Sequence, residues 1–296
     1  MNLKKKVTII QVIYDNNCNL LKNLNKIKDF KIIIVDNQGN DLILKDLKKF
    51  KNIQIISNKK NIGFGKAVNM ACRVANTKYI LLLNPDASIN KINITKLANV
   101  LDKDKNCIIA VPRIYKNRQY KPEDRLFPEN EKLSRNSFEE RIKRKLFKTI
   151  PTGNFCVTFF LGAIMLIKKN YFKNKIFNEK YFLYFEDTQL CKDLNRNKKS
   201  IILVNKSYGN HELHASVKKT LKNLFIINFN LTLSKHLYFN TQILSHPLIK
   251  DIILFLIKTI VNLLLLKKDK FIINFAKFFG VLSFVYKNLN KSIFKI

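Results

Sequence analysis

No C-x-x-C pair occurs in the 296 residues, and the five cysteines, Cys18, Cys72, Cys107, Cys156 and Cys191, are odd in number and widely spaced. That spacing speaks against a disulfide framework or a zinc site and predicts buried thiols in a reducing cytoplasm. No uninterrupted apolar run reaches the ~20 residues that a membrane-spanning helix needs. The start, MNLKKKVTII, is basic, but its apolar run is cut by Gln11 and Asp15, so it reads as a first strand rather than a secretory leader. Tryptophan is absent. Acidic residues are scarce: 21 Asp+Glu stand against 55 Lys+Arg, a formal net charge of +34. Such a field draws polyanions, which means nucleic acid, an anionic lipid surface or phosphorylated small molecules. Nucleic acid is the weakest of the three, because no helix-turn-helix, zinc or RNP-like motif accompanies the charge. With 47% hydrophobic residues the chain can fill a sizeable core, and disorder is not expected.

Short apolar, β-branched runs punctuate the first two hundred residues. VTIIQVI (7–13) and KIIIV (31–35) flank a stretch whose leucines fall at helical spacing, a β-α-β unit. IQIIS (53–57) precedes a glycine turn that opens a helix from about Gly65 to Ala75. YILLL (79–83) is a fourth strand, stopped by Asn84-Pro85-Asp86, since proline cannot donate to a sheet ladder. Ile108–Tyr115, Phe160–Lys169 and Ser200–Asn205 are the remaining strand candidates. Between the first two of these, residues 116–149 form a charged loop with a helix near Phe138–Phe147. This alternation implies an α/β fold, a doubly wound and mostly parallel sheet that binds ligands beyond the carboxyl ends of its strands. Asp36, Asn61, Gly63 and Asp86 all follow such ends.

From Val217 the chain becomes a succession of helices rich in Leu, Ile, Phe and Lys, with 13 lysines and 2 aspartates. Asp251, Lys258, Asn262 and Asp269 read as a narrow polar stripe on an otherwise apolar helix. A helix lying in a membrane interface fits that pattern.

The ordered set V-D-N, N-I-G-F-G, N-P-D, Y-F-L-Y-F-E-D (181–187) and G-N-H-E-L-H-A-S (209–216) resembles the inverting family-2 glycosyltransferases with a GT-A fold, most closely their rhamnosyltransferase-like branch. The likeness covers roughly the first three quarters of the chain and implies a catalytic domain over 1–216 and a membrane-associating helical extension over 217–296. It implies a nucleotide-diphosphate sugar donor and a hard divalent cation, Mg²⁺ or Mn²⁺, for which carboxylate oxygens are the natural ligands. Asp86 takes the metal role, with Asn84 in the first place of the family's D-x-D-type element, which leaves one carboxylate in the motif. His211 would ligate the metal or contact the diphosphate, and His214 competes with it.

On the donor side, the resemblance gives Asp36 the base N3–H of a uracil or thymine nucleotide; the alternative for Asp36 is an Asx-turn. Tyr14, Asp15 and Asn16 would line the base pocket, while Gly63 and Gly65, after Asn61, would let backbone approach the nucleotide. Inversion needs a base for the acceptor hydroxyl proton. The family's base aligns with Asp187, and Glu186 is the alternative. Gly162 and Ala163 would leave room for the acceptor sugar, and Ser216 matches the serine closing the histidine motif. Processive synthases of this superfamily carry Q-x-x-R-W and several spanning helices, so the missing tryptophan favours transfer of a single sugar. The expected setting is the cytoplasmic face of the plasma membrane, with a lipid-linked saccharide as acceptor. A catalytically inactive scaffold of the same fold and a basic nucleic-acid-binding protein are the competing classes.

Overall fold

The computed structural model describes residues 3–14, 20–38, 45–116, 119–120, 153–160, 162–212 and 218–293. The helix expected near Phe138–Phe147 lies outside them. The chain divides into two compact units, Met1–Asn178 with Asp187–Val217, and Glu179–Glu186 with Lys218–Ile296.

The first unit is built on one mixed sheet. Its strands are β1 (Val7–Ile13), β2 (Lys31–Asp36), β3 (Ile53–Ser57), β4 (Tyr79–Leu83), β5 (Ala87–Ile89), β6 (Cys107–Lys116), β7 (Gln119–Tyr120), β8 (Phe155–Cys156), β9 (Ile164–Lys168) and β10 (Ser200–His211). They lie in the order β3-β2-β1-β4-β9-β6-β10-β5, with β7 on β6 and β8 on β10. The β3-β2-β1-β4 run is parallel, as are β6 and β10, while β9 lies antiparallel between β4 and β6. The chain steps outward from β1 to β2 and β3, then returns to β4 on the other side of β1. That reversal opens a crevice at the carboxyl ends of β1 and β4.

Alternating side chains of each strand feed two cores. Ile9, Ile32, Ile34 and Leu81 pack beneath helices α1 (Leu20–Asn25) and α3 (Lys91–Lys103). Ile10, Ile33, Val35 and Leu82 pack beneath α2 (Phe64–Val74) and α4 (Glu186–Arg196). Helices on both faces explain why these strands are apolar throughout rather than on every second residue. Burial pushes the Cys107 thiol up to about 12, which removes it as a nucleophile at neutral pH. Cys72, Cys107, Cys156 and Cys191 are thiols outside any disulfide, the first, second and fourth buried as expected and Cys156 exposed instead, while Cys18 lies outside the described residues.

Asp102 ties α3 to the start of β4. Its Oδ1 accepts from Lys78 Nζ and, at 2.5 Å, from Tyr79 Oη. These bonds, Lys78 first, lower its carboxyl from 3.8 to about 2. A depressed carboxylate contributes stability above its unfolded value and loses it as pH falls through the folded one, so the window runs from about 4 down to about 2. The side chain is 34% exposed, so solvent screening cuts the contribution well below the full linkage value. Asp102→Asn is expected to cost about 1 kcal/mol at neutral pH, read from urea midpoints, with the difference vanishing near pH 2.

Two strand boundaries depart from the sequence reading by several residues. The Phe160–Lys169 strand shortens to β9, because Gly162 and Ala163 belong to a turn. The Ser200–Asn205 strand instead runs on through an irregularity between Val204 and Tyr208 to His211. The short β5, β7 and β8 were not anticipated, β7 falling within the expected 116–149 loop.

In the second unit, α5 (Leu221–Phe239), α6 (His246–Leu264) and α7 (Lys268–Ile293) share a core of Leu233, Leu248, Val281 and Phe284. Thr220 caps α5 by accepting from Asn223 N at 3.1 Å, and Pro247 opens α6. The polar stripe is not a single exposed face. Asp251 meets Lys235 Nζ at 2.7 Å and His236 Nε2 at 3.3 Å. Burial pushes its carboxyl up, but the bonds from His236 and Lys235 outweigh that and hold it below its ordinary value. Asp269 lies beyond the end of α6, on α7, and pairs with Lys219 at 3.0 Å. The break falls at Leu265–Lys267, where Leu266 has a φ of 52°.

Candidate active site

The carboxyl edge of the sheet gathers most of the residues named above. Asp36 ends β2, 1% exposed, and its Oδ1 accepts from Gln38 N at 3.1 Å, so the Asx-turn is realised. Tyr14, half-buried, follows β1. Asn37 is the hub of this corner. Its backbone N–H donates to Ile13 O at 2.8 Å, and its Nδ2 donates to Asn61 Oδ1 at 2.8 Å. Its Oδ1 accepts from Asn58 Nδ2 at 3.1 Å and Ile62 N at 3.2 Å. Asn61 Oδ1 also accepts from Gly63 N at 2.9 Å. These bonds clamp the loop after β3 against the turn after β2. Gly63 has a φ of 88°, a conformation that a side chain resists, and buried Gly65 sits in the first turn of α2.

In the sequence Asn37 stands out only as the last residue of the V-D-N motif, because its partners lie more than twenty residues away in the chain. Asn37→Ala would leave several buried groups unpaired and is expected to cost about 1–3 kcal/mol. If the loop contacts the donor, the donor KM should rise more than kcat falls, a split that steady-state kinetics would read.

Beyond β4, Asn84 N donates to Ala163 O and Asn84 O accepts from Ala87 N, both at 2.9 Å. This turn leads into β5, which pairs antiparallel with β10 so that His211 stands opposite Ala87. Asp86 is 3% and His211 8% exposed, and His211 Nε2 lies 3.2 Å from Asp86 Oδ1. Neither Asp86 oxygen, nor His211 Nδ1, has a hydrogen-bond partner among the described residues. A buried carboxylate without donors is costly unless a cation offsets it. Two buried oxygens beside an imidazole suit a divalent ion that also takes phosphate oxygens, as Mg²⁺ and Mn²⁺ do. No cluster of three or more His, Cys, Asp or Glu that could hold a metal occurs among the described residues, so substrate oxygens would have to complete such a shell.

Asp187, half-buried in the first turn of α4, accepts at Oδ1 from Thr188 N at 2.7 Å and at Oδ2 from Gly162 N at 3.2 Å. A Cβ on Gly162 would stand 3.3 Å from both Cβ and Oδ2 of Asp187, so the small residue is what allows this approach. Ala163, 3% exposed, sits at the same turn, immediately before β9. Glu186, 7% exposed, groups with the second unit. Just before it, Tyr184 and Phe185 both have a φ of 68°, a left-handed conformation costing about 1–2 kcal/mol for each such residue. Phe185 packs on Tyr238 at 5.4 Å, a contact that offsets part of that strain. Burial, and then the charge of Glu186, push the Tyr184 phenol up. Buried Asn69 accepts from Ile176 N at 2.9 Å and Phe177 N at 3.0 Å, fixing the backbone that leads towards this segment. Asp15, Asn16, His214 and Ser216 lie outside the described residues.

The chain belongs to glycosyl transferase family 2, whose model matches residues 8–172, more than half of its length. Solved structures agree on the α/β, GT-A-like sheet. S. aureus TarS in complex with UDP-GlcNAc is 18% identical over 77% of this chain and 66% of that one, with a TM-score of 0.53. The mannosyltransferase PcManGT from Pyrobaculum calidifontis, in complex with GDP-Man and Mn²⁺, is 11% identical over 96% and 75%, with a TM-score of 0.54. GalNAc-T7 with UDP, GalNAc and Mn²⁺ is 14% identical over 70% and 43%, also at 0.54. The chain thus spans less than two thirds of TarS and of GalNAc-T7, and the likeness at these identities is one of fold. No curated protein matches it.

Proposed function

We propose that the protein transfers a single sugar, with inversion, from a nucleotide-diphosphate donor to a lipid-linked glycan or other saccharide acceptor at the cytoplasmic face of the plasma membrane. The donor would be dTDP- or UDP-linked, with rhamnose the sugar suggested by the motif order. The observation that carries the reading is the buried Asp86 carboxylate, without a hydrogen-bond donor among the described residues and 3.2 Å from His211, at the sheet edge where Asp36 also ends its strand. A divalent cation on Asp86 and His211 would neutralise the leaving diphosphate. Asp36 would accept the base N3–H, and the Asn37 clamp would hold the loop that borders the nucleotide. Asp187 would take the acceptor hydroxyl proton as that oxygen bonds to the anomeric carbon and the bond to diphosphate breaks. Its bonds to Gly162 and Thr188 support this role by fixing the carboxylate at the same edge.

The test is release of nucleoside diphosphate from a donor panel with Mg²⁺ or Mn²⁺. The panel should include UDP- and GDP-sugars, since TarS and PcManGT are seen with them, alongside dTDP-sugars. Metal-dependent turnover of one donor is the expected result. No turnover of any donor, together with salt-sensitive binding to random DNA, would overturn the reading in favour of a nucleic-acid-binding protein.

A further inference from the structure

Helix α6 is apolar on two sides. Leu248, Ile252, Phe255 and Thr259 recur at helical spacing, and the first three pack into the core of the helical unit, Leu248 being 2% exposed. A second stripe, Ile249, Ile253, Leu256, Ile257, Ile260 and Leu264, also follows helical spacing, yet its members are between 41% and 77% exposed. Water-facing patches of this extent mark a surface that something else covers. α6 is not long and apolar enough to cross a bilayer, nor is any other described helix.

The charges around the stripe select the occupant. Residues 217–296 contain 2 acidic side chains, Asp251 and Asp269, and both are engaged internally by Lys235 with His236 and by Lys219. Lys250, Lys258, Lys267, Lys268 and Lys270 are exposed on or beside the same helix. A second copy of this chain would bring the same lysines face to face, which like-charge repulsion opposes. Anionic lipid headgroups are the complement, each nearby lysine adding attraction while the apolar stripe enters the acyl boundary. We infer that the Ile249–Leu264 stripe of α6 is the surface by which the protein lies, helix axis in the membrane plane, in the interface of an anionic bilayer. This deepens the membrane part of the proposed function and rests on it for the side of the membrane.

The absence of tryptophan makes the test clean. In the full chain, Ile257→Trp introduces the sole indole, whose emission should shift to the blue and be quenched by acyl-brominated lipids on addition of mixed phosphatidylcholine and phosphatidylglycerol vesicles. Tyr208→Trp, at an exposed position of β10, should not respond. Phosphatidylcholine alone should bind at least about tenfold more weakly. Ile253→Asp with Ile257→Asp should lower partitioning on the order of a hundredfold, with the circular dichroism spectrum and donor hydrolysis to water unchanged. An Ile257→Trp signal that ignores the anionic vesicles would overturn the inference. So would a lipid-free dimer that the double variant dissociates. If Ile257→Trp inserts while no variant, nor the wild type, hydrolyses any donor, the surface stands and the transferase reading is what fails.

Discussion

Asp86→Ala is expected to abolish metal-dependent transfer while leaving thermal unfolding close to that of the unaltered protein. The carboxylate is 3% exposed and has no hydrogen-bond donor among the described residues, so its removal ends only the 3.2 Å contact with His211 Nε2 and relieves the site of a desolvated carboxylate. In the proposed role, what the variant would lose is an anionic metal ligand, and with it stabilisation of the diphosphate charge that grows as the sugar leaves. Losses of this kind run to about 3–4 kcal/mol, or on the order of a hundred- to a thousandfold in kcat. Turnover should then respond little to added Mg²⁺ or Mn²⁺. His211→Ala is expected to act in the same direction with a smaller effect, since the Asp86 carboxylate would remain in place. Near-normal turnover of Asp86→Ala with unchanged metal dependence would remove Asp86 from the metal site.

The parts of this arrangement that were legible in the sequence are those set by neighbours along the chain. Seven apolar runs, most of them β-branched or leucine-rich, announced their strands, and Pro85 marked where β4 ends because a residue without an N–H cannot extend the ladder. Asp36 and Asp86 were therefore placed at strand ends from sequence order alone. His211 was read as following the last strand; it is instead the final residue of β10. The extension pairs with β6 on one side and on the other with β5, three residues from a distant part of the chain that carry no strand signal of their own. The same limit hid the Asn37 clamp and the approach of Gly162 to Asp187, which join residues 21 to 25 positions apart. In the tail, helical periodicity made the helices legible but ran Asp251 and Asp269 into one stripe, which the break after Leu264 divides between α6 and α7. It could not show that Asp251 turns inward to Lys235, because that partner belongs to another helix and the choice between solvent and a buried ion pair is tertiary.

With Asp187 as the proposed base, Asp187→Asn is expected to separate donor binding from proton transfer. The amide keeps the size and nearly the shape of the carboxylate, so the site should still bind a nucleotide sugar with an affinity close to normal, measurable by calorimetry. It cannot take the acceptor proton, and loss of a general base lowers turnover by about a hundred- to ten-thousandfold. Asp187 is preferred over Glu186 because its carboxylate is held at the sheet edge by Gly162 N at 3.2 Å, beside the turn that also bonds Asn84 through Ala163 O. Glu186 is buried and groups with the helical unit, so Glu186→Gln should be the milder change. Gly162→Ala offers a geometric check: a new methyl 3.3 Å from Asp187 Oδ2 would push the carboxylate aside without altering its chemistry. It is expected to lower kcat while leaving donor affinity in place, since a small displacement of a base costs rate rather than binding. If Glu186→Gln proves the more damaging substitution and Gly162→Ala leaves kcat untouched, the base is Glu186 and the carboxylate beside Gly162 serves only to cap its helix.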